Sequence, residues 1–201
     1  MKESLQQYKI VRKETVHDGF FKLDRIRLCH TLHEGGWSPM LDRELFRRTN
    51  CVAVLPYDPI RDQVVLIEQF RIGATVEKKS PWLLEIVAGA IEAGEQPLDV
   101  ACREAREEAG CEIQELIKIS EFYTSPGVSS ERLTLFCGRV DARNAGRICG
   151  LKSENEDILV SVVDFDDAMD YVENGRIDSA IPIIALQWLA LNRDRLRKTW
   201  N

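Results

Sequence analysis

The feature that most constrains this chain is one short helix whose ends and faces are both marked in the sequence. Residues 98–109 have the apolar periodicity of an amphipathic helix. Pro97 suits a first-turn position, and Gly110 suits the left-handed residue that ends a helix. A helical wheel predicts a core-facing stripe made of Leu98, Ala101, Cys102, Ala105 and Ala109.

Three glutamates, Glu104, Glu107 and Glu108, fall together on a neighbouring face of this helix. Like charges at this spacing repel each other, and the residue four positions after Glu104 is another glutamate rather than Lys or Arg. A divalent cation would offset the repulsion, because carboxylate oxygens are ligands that Mg²⁺ and Mn²⁺ prefer. The alternative is a solvated acidic face, which three glutamates alone do not exclude.

The spacing around the helix is more specific than its charge. Residues 89–111 read GAIEAGEQPLDVACREAREEAGC, in which five residues separate Gly89 from Glu95 and seven more precede REAREEAGC. This segment resembles the Nudix box, G-x5-E-x7-R-E-U-x-E-E-x-G-U with U aliphatic, and Ala105 and Cys111 are small residues at U positions. The resemblance implies a metal-dependent hydrolase that splits a nucleoside diphosphate linked to another group.

The similarity extends over nearly the whole chain to the ADP-ribose pyrophosphatase branch of that family. Pro126 lies sixteen residues after Gly110, and similar segments are HDGFFKLD, RELFRR, VLIEQFRI, PWLLEIVAG, GLKSENEDI and IDSAIPIIALQWL. The resemblance implies cleavage of ADP-ribose to AMP and ribose 5-phosphate. The alternatives are the same chemistry on another nucleotide sugar such as GDP-mannose, and a non-catalytic nucleotide sensor. Val128 stands where that branch often has glycine, which bears on ligand preference near the terminal ribose.

The resemblance also implies a metal site and a general base. The implied ligands of Mg²⁺, with Mn²⁺ as the alternative metal, are the Ala88 carbonyl, Glu104, Glu107, Glu108 and Glu156. Glu154, in the loop 153–157, would deprotonate a metal-bridging water. Without the family, this loop would be interpreted as a solvated acidic segment. We expect Arg103 to hold a loop carboxylate such as Glu95 rather than to contact substrate.

The implied substrate contacts are spread along the chain. Phe20 and Phe21 would stack on adenine, and Arg71 would contact phosphate through a planar guanidinium. The remaining implied contacts are Arg43, Glu44, Arg48, Ala90, Ser125, Gly127 and Glu131. Taken singly, two aromatic residues in a strand are typical of a core, and each arginine is typical of a surface ion pair.

The rest of the chain predicts strands in two groups. Residues 1–50 alternate between apolar and charged residues and predict a small antiparallel sheet domain, whereas residues 51–201 predict the hydrolase domain. For the second domain we predict a hairpin over 51–72, strands at 81–89, 116–124, 132–140 and 157–165, and helices at 166–174 and 181–197. Mixed strands with interspersed helices indicate an α+β or α/β layered fold. The resemblance implies the α+β class, an α/β/α sandwich of the Nudix type with an N-terminal β-sheet domain. The resemblance implies that this sheet domain forms a homodimer whose sites are shared between subunits.

Charge and cysteine content disfavour other classes of protein. The net charge of −6 disfavours a nucleic-acid binder, and residues 89–112 hold seven of the acidic side chains against two arginines. A diphosphate can still bind, because the necessary cations come from solution. No C-x-x-C pair or long apolar run occurs, so we expect neither a zinc site nor a signal peptide or membrane span. Most of the six cysteines fall inside apolar runs and are predicted to be buried free thiols, in a reducing cytoplasm.

Overall fold

The computed structural model describes residues 6–76 and 80–200, which divide into two units. The first unit contains the chain up to Thr49 together with Tyr123–Arg132, and the second contains Asn50–Phe122 and the chain from Leu133 onward. The segment Tyr123–Arg132 thus belongs with the N-terminal sheet, although it lies far away in sequence. The dimerisation role of residues 1–50 stays a prediction.

The first unit is built on a three-stranded antiparallel sheet. Its strands, in the spatial order β1-β2-β3, are β1 (Tyr8–Asp18), β2 (Lys22–His30) and β3 (Leu41–Arg47). The distant segment joins this sheet through β3, because Phe46 N–H donates to Val128 O at 2.7 Å and Ser130 N–H donates to Phe46 O at 3.1 Å. These hydrogen bonds satisfy backbone groups at one edge of the sheet.

The second unit contains an eight-stranded mixed sheet and three helices. The strands are β4 (Cys51–Asp58), β5 (Gln63–Phe70), β6 (Trp82–Glu85), β7 (Val87–Ala90), β8 (Glu115–Tyr123), β9 (Arg132–Arg139), β10 (Ile148–Cys149) and β11 (Ile158–Asp164). Their order is β10-β11-β5-β4-β9-β8, with β6 paired to β5 and β7 paired to β4. Strands β4 and β9 run parallel. The helices are α1 (Pro97–Ala109), α2 (Phe165–Glu173) and α3 (Ala180–Thr199).

Alternate residues of the same strands form two cores on opposite faces of this sheet. Leu66 belongs to the cluster that includes Leu186 of α3, whereas Val65 and Ile67 belong to the cluster that includes Val100 of α1. The sheet is therefore covered by helices on both faces, which confirms the predicted sandwich. Among the described helices, none is long and apolar enough to cross a membrane.

Two predictions about this unit need correction. The predicted strand over 81–89 is two strands, because the chain stops pairing with β5 at Glu85 and pairs with β4 from Val87 onward. All six cysteines are free thiols, but their predicted burial is confirmed only for Cys29, Cys111 and Cys137. The other three are half-buried, as Cys102 illustrates at the flank of α1.

The loop between β4 and β5 is tied to α3 through Asp62. Tyr57 Oη donates to Asp62 Oδ1 at 2.7 Å, and Arg193 Nε lies 2.9 Å from both carboxylate oxygens. Arg197 Nη1 also lies 3.1 Å from Asp62 Oδ2. Burial alone would raise the pKa of Asp62, but the hydrogen bonds from Arg193 and Tyr57 outweigh it and hold the pKa below its usual range.

We expect Asp62→Asn to lower the free energy of unfolding at neutral pH by about 1–3 kcal/mol, the usual range for hydrogen bonds to charged groups. Asparagine tolerates the left-handed backbone at this position, where φ is 61°, so the change reports on the charge. Because the pKa is lower in the folded chain, this stabilisation is present above the unfolded value and is lost as the pH falls through the folded one. Thermal unfolding from about pH 7 to about pH 3 measures it.

The control for this prediction is Glu112→Gln. Glu112 pairs with Arg106 at 2.8 Å, but both side chains are exposed, so its loss should leave stability nearly unchanged. A deficit of Asp62→Asn that persists unchanged at the acidic end of the range would contradict the charge argument.

Candidate active site

Helix α1 begins and ends where the sequence predicts. Pro97 occupies the first turn, and Gly110 is left-handed with φ 65°. The N–H groups of Gly110 and Cys111 donate to the carbonyls of Arg106 and Ala105 at 3.1 and 2.9 Å. These bonds satisfy carbonyls that a helix end otherwise leaves unpaired.

The predicted core stripe of α1 is wrong at its edge. Leu98 is 53% exposed and Cys102 is half-buried, whereas Val100 is buried and Glu108 is only 3% exposed. Ala101, Ala105 and Ala109 are buried as predicted, but the helix is rotated so that Glu108 also faces the sheet, where Ala88 N–H donates to Glu108 Oε2 at 2.9 Å. A backbone donor therefore makes burial of this carboxyl tolerable. The alternative of a fully solvated acidic face is overturned.

Glu104 lies directly against the backbone of β7. A Cβ atom built on Gly89 would fall 1.9 Å from Glu104 Oε1 and 2.1 Å from Glu104 Cδ. Only the absence of a side chain at position 89 lets the carboxyl occupy this place. The first glycine of the box is thus required by close packing, and it sets where the Glu104 oxygens lie.

Burial changes the acidity of both carboxyls. It raises the pKa of Glu108 to about 8, against the hydrogen bond from Ala88 and with further repulsion from Glu104 and Glu156. It raises the pKa of Glu104 to about 7, with Arg103 opposing the shift and Glu107 adding to it. A positive charge placed beside these two crowded acids would favour their ionised forms.

Arg103 supplies positive charge among these carboxylates. Its Nη1 lies 2.9 Å from both Glu104 Oε1 and Glu107 Oε2, and its Nε lies 3.4 Å from Glu95 Oε1. Glu95 in turn accepts the N–H of Glu92 at 2.8 Å. The expected contact between Arg103 and Glu95 is confirmed, and the arginine also bridges two of the implied metal ligands.

The segment that leads into the acidic loop 153–157 is anchored to α1 through Gly150. Gly150 has φ 98°, and its N–H donates to the Glu107 carbonyl at 3.0 Å. The N–H of Leu151, in the same segment, donates to Glu156 Oε2 at 3.0 Å, and the charge of Glu156 acts on Glu104 and Glu108. Glu154 is exposed in a short 3₁₀ helix and, within the described residues, its carboxylate has no ion-pair or hydrogen-bond partner.

The donor set around α1 fits a hard divalent cation. The implied set consists of carboxylates and a backbone carbonyl, and the structure places two of the carboxyls against β7, Glu104 at Gly89 and Glu108 at Ala88. Within residues 6–76 and 80–200, however, no group of three Asp, Glu, His or Cys side chains is arranged so that it could hold a metal ion. Arg103 fills part of that space, so the individual ligands stay predictions.

Two implied substrate contacts lie in the same unit as α1. Arg71 follows β5, and its Nε lies 2.6 Å from Glu85 Oε2. The positive charge of Arg71 also interacts with the Glu108 carboxyl and partly offsets the rise of its pKa. Ala90 is the exposed last residue of β7 and pairs with Cys51.

The other eight implied contacts all lie in the first unit. Phe20 is 95% exposed, which is not the environment of a core residue, and its ring packs edge-on against Phe21 at 4.6 Å. Phe21 also lies 4.9 Å from the ring of Phe46 and 4.9 Å from the guanidinium of Arg48. An exposed aromatic pair next to a cation suits a planar ligand such as a nucleobase.

Arg48 also connects this pair to the segment that joins β3. Its Nε lies 3.0 Å from Glu131 Oε2, while Thr124 Oγ1 donates to Glu131 Oε1 at 3.0 Å. An open cavity of about 410 Å³ nearby is lined by Arg25, Asp42, Arg43, Glu44, Gly127 and Val128. Ser125 shapes this loop, because its carbonyl accepts the N–H groups of Val128 and Ser129 at 3.1 and 2.8 Å.

Val128 is accommodated without backbone strain. Over the described ranges, the non-glycine residues with positive φ are Asp62 and Asn155, so the loop does not require glycine at position 128. Its side chain is more than half exposed at the edge of the cavity. The valine therefore changes the lining of the cavity rather than the path of the chain.

Thr124 and Glu85 were not predicted from the sequence. Each contacts an implied substrate residue, namely Glu131 and Arg71. No sequence motif identifies these two residues, because each contact joins positions that are separated in sequence. Only strand pairing could have indicated them.

Comparison with known proteins identifies the class that this fold and site define. A NUDIX domain matches residues 47–182, so the chain belongs to the Nudix family, and it is a Nudix hydrolase. It is 48% identical to the ADP-ribose pyrophosphatase of Escherichia coli K12, over 96% of this chain and 92% of that protein. It is 45% identical to the ADP-ribose pyrophosphatase of Haemophilus influenzae, over 98% and 92%.

Two further similarities are more distant. The chain is 31% identical to a GDP-mannose pyrophosphatase of Escherichia coli, over 93% of this chain and 97% of that protein. A crystal structure of an ADP compounds hydrolase superimposes with a TM-score of 0.72 at 22% identity, covering 98% of this chain and 97% of that one. This likeness shows the fold, and the predicted family and fold class are confirmed.

Proposed function

We propose that this protein hydrolyses ADP-ribose to AMP and ribose 5-phosphate with the help of Mg²⁺. The observation that carries the proposal is the pair of carboxyls on α1 that face β7, the half-buried Glu104 against Gly89 and the buried Glu108 against Ala88 N–H. Relatives that are 45–48% identical over nearly the full chain and bear the name ADP-ribose pyrophosphatase support the substrate.

The metal would be held by the residues that the sequence predicts. These are the Ala88 carbonyl, Glu104, Glu107, Glu108 and Glu156, with Mn²⁺ as the alternative ion. When bound, such a cation neutralises diphosphate charge and lowers the pKa of water. Glu154 accepts the proton of the attacking water, and Arg71 binds a phosphate oxygen pair.

The first unit would bind the rest of the substrate. Phe20 and Phe21 stack on adenine, and Arg43, Glu44 and Arg48 contribute further contacts from the N-terminal sheet. Ser125, Gly127 and Glu131 line the terminal-ribose side. Ala90 offers its backbone. In a homodimer, as the resemblance implies, the groups of the first unit come from one subunit, whereas Ala90 and the metal ligands come from the other.

The substrate is tested with a panel of nucleotide sugars ranked by kcat/KM in the presence of Mg²⁺. We expect ADP-ribose to rank first, with AMP as a product. GDP-mannose is the second candidate, favoured by the relative that bears that name. If GDP-mannose ranked first, the substrate would be wrong and the chemistry retained; if nothing turned over, the hydrolase itself would be refuted.

Shared sites are tested by mixing two inactive variants, Phe21→Ala/Arg48→Ala and Glu154→Gln. In a randomly exchanged twofold dimer, half of the molecules are hybrids with one intact site of two. About a quarter of the wild-type activity should therefore return on mixing. No recovery after demonstrated subunit exchange would mean that each site is built within one chain.

We also propose a reducing, cytoplasmic location. Six cysteines that are all free thiols support it, because oxidising compartments favour disulfides. Thiol labelling of the protein in intact cells tests this, and quantitative disulfide formation there would contradict it.

A further inference from the structure

An ion pair joins the end of β5 to β6 on the side of the sheet that carries α1. Arg71 Nε lies 2.6 Å from Glu85 Oε2. The strands are antiparallel with Ile67 opposite Glu85, so Ile67 and Arg71, four residues apart, belong to the same face as Glu85. Because Ile67 packs in the cluster that contains α1, this face is the one on which the carboxylates lie.

The guanidinium of Arg71 is held at one point and free at the others. Its backbone is fixed by the N–H bond to Pro81 O at 2.8 Å, and its Nε is fixed by Glu85. Among the described residues, neither Nη atom has a hydrogen-bond partner. A planar guanidinium held through Nε presents both Nη atoms in a fixed fork, which matches two oxygens of a phosphate.

The ion pair is a poor stabilising device. The Arg71 side chain is 41% exposed and that of Glu85 is 16% exposed. Ion pairs that are this accessible to solvent contribute little to the free energy of unfolding. The pair also sits next to the acidic cluster, since the charge of Arg71 acts on Glu108. The ion pair therefore serves to hold the Arg71 side chain in position, rather than to stabilise the fold.

We propose that Glu85 is a positioning residue, which holds the Arg71 guanidinium so that both Nη atoms point to the diphosphate. Glu85 does not contact substrate itself. The inference rests on the proposed function, because it requires Arg71 to bind phosphate. Without Glu85, the long arginine side chain must be ordered when substrate binds, and that ordering weakens binding and transition-state stabilisation.

A double-mutant cycle with Glu85→Ala and Arg71→Ala tests this role. We expect Glu85→Ala to lower kcat/KM roughly three- to tenfold, the cost of ordering one flexible side chain. In the Arg71→Ala background, the same change should have no effect. Glu85→Gln retains an oxygen that accepts from Nε and should recover most of the loss. The melting temperature should stay near the wild-type value in both single variants of Glu85.

The matched control is Glu115→Ala, which removes an ion pair of similar length between β8 and β9. Glu115 Oε1 lies 2.8 Å from Arg139 Nη1, and neither residue belongs to the proposed site. This variant should leave kcat/KM unchanged. An equal loss for Glu85→Ala with and without Arg71 would overturn the positioning role and indicate a structural one.

Failure of this inference is separable from failure of the proposed function. Wild-type turnover of ADP-ribose tests the function, and the cycle is then measured on whichever nucleotide sugar the wild type cleaves best. Calorimetric affinity for ADP-ribose supplies a second readout that needs no turnover. Additive effects in both measurements would refute the coupling between Glu85 and Arg71, whatever the substrate.

Discussion

Gly89→Ala should abolish most of the metal-dependent activity, by roughly 100-fold or more in kcat/KM. The new Cβ atom would fall 1.9 Å from Glu104 Oε1, so the carboxyl must leave its place against β7. The atom that must move is the end of a side chain and not backbone, so we expect the fold to survive with a penalty of about 1–3 kcal/mol. Activity assays over a range of Mg²⁺ concentrations measure the loss.

Two companion variants make this result specific to Glu104. Gly73→Ala adds the same methyl group where no atom of the described residues lies within 4 Å, and it should leave activity and Mg²⁺ dependence unchanged. Glu104→Ala should add little further loss in the Gly89→Ala background, because the carboxyl has already been displaced. Full activity of Gly89→Ala at limiting Mg²⁺ would disprove the requirement for glycine.

Glu154→Gln is the other change with a large expected effect. We expect kcat to fall by roughly 10²–10⁴-fold, the usual contribution of a general base, with KM changed only a few-fold. The structure distinguishes the two glutamates of the acidic loop. Glu156 accepts the N–H of Leu151, whereas Glu154 is exposed and, within the described chain, its carboxylate is unpaired. Glu154 is therefore the one of these two carboxylates that no internal hydrogen bond holds in place.

The matched control is Asp157→Asn, which neutralises a neighbouring acid in the same loop. It should lower kcat at most a few-fold, because no role in proton transfer is assigned to Asp157. Steady-state kinetics with Mg²⁺ saturating separates the two variants. If both lowered kcat equally, the loop charge as a whole would matter and Glu154 would lose its role as base.

The sequence predicted most elements of this fold because local patterns determine them, but it merged β6 with β7 and missed the two-residue strand β10. Pro97 and Gly110 mark the ends of α1, and alternating apolar residues mark the strands of both units. The spacing from Gly89 to Cys111 indicated the family, which the matched domain confirms. Such signals need only neighbouring residues, so no knowledge of tertiary contacts is required.

Helical periodicity fixes the angles between side chains of α1, but not which side faces the sheet. The apolar residues alone pointed to Leu98 and Cys102, whereas the folded chain buries Glu108 instead. Two groups of β7 decide this orientation. The N–H of Ala88 donates to the buried Glu108 carboxyl, and the absence of a side chain at Gly89 leaves space for the Glu104 carboxyl. Those groups belong to a different strand.

Contacts between distant segments were likewise decided only by tertiary structure. The segment Tyr123–Arg132 joins the N-terminal sheet through hydrogen bonds to Phe46, and Glu85 holds Arg71 across two paired strands. The sequence by itself therefore determined the elements, the family and the chemical types of the site residues. Strand register and helix rotation determined which of them meet, because both depend on burying surface and pairing backbone groups across the whole fold.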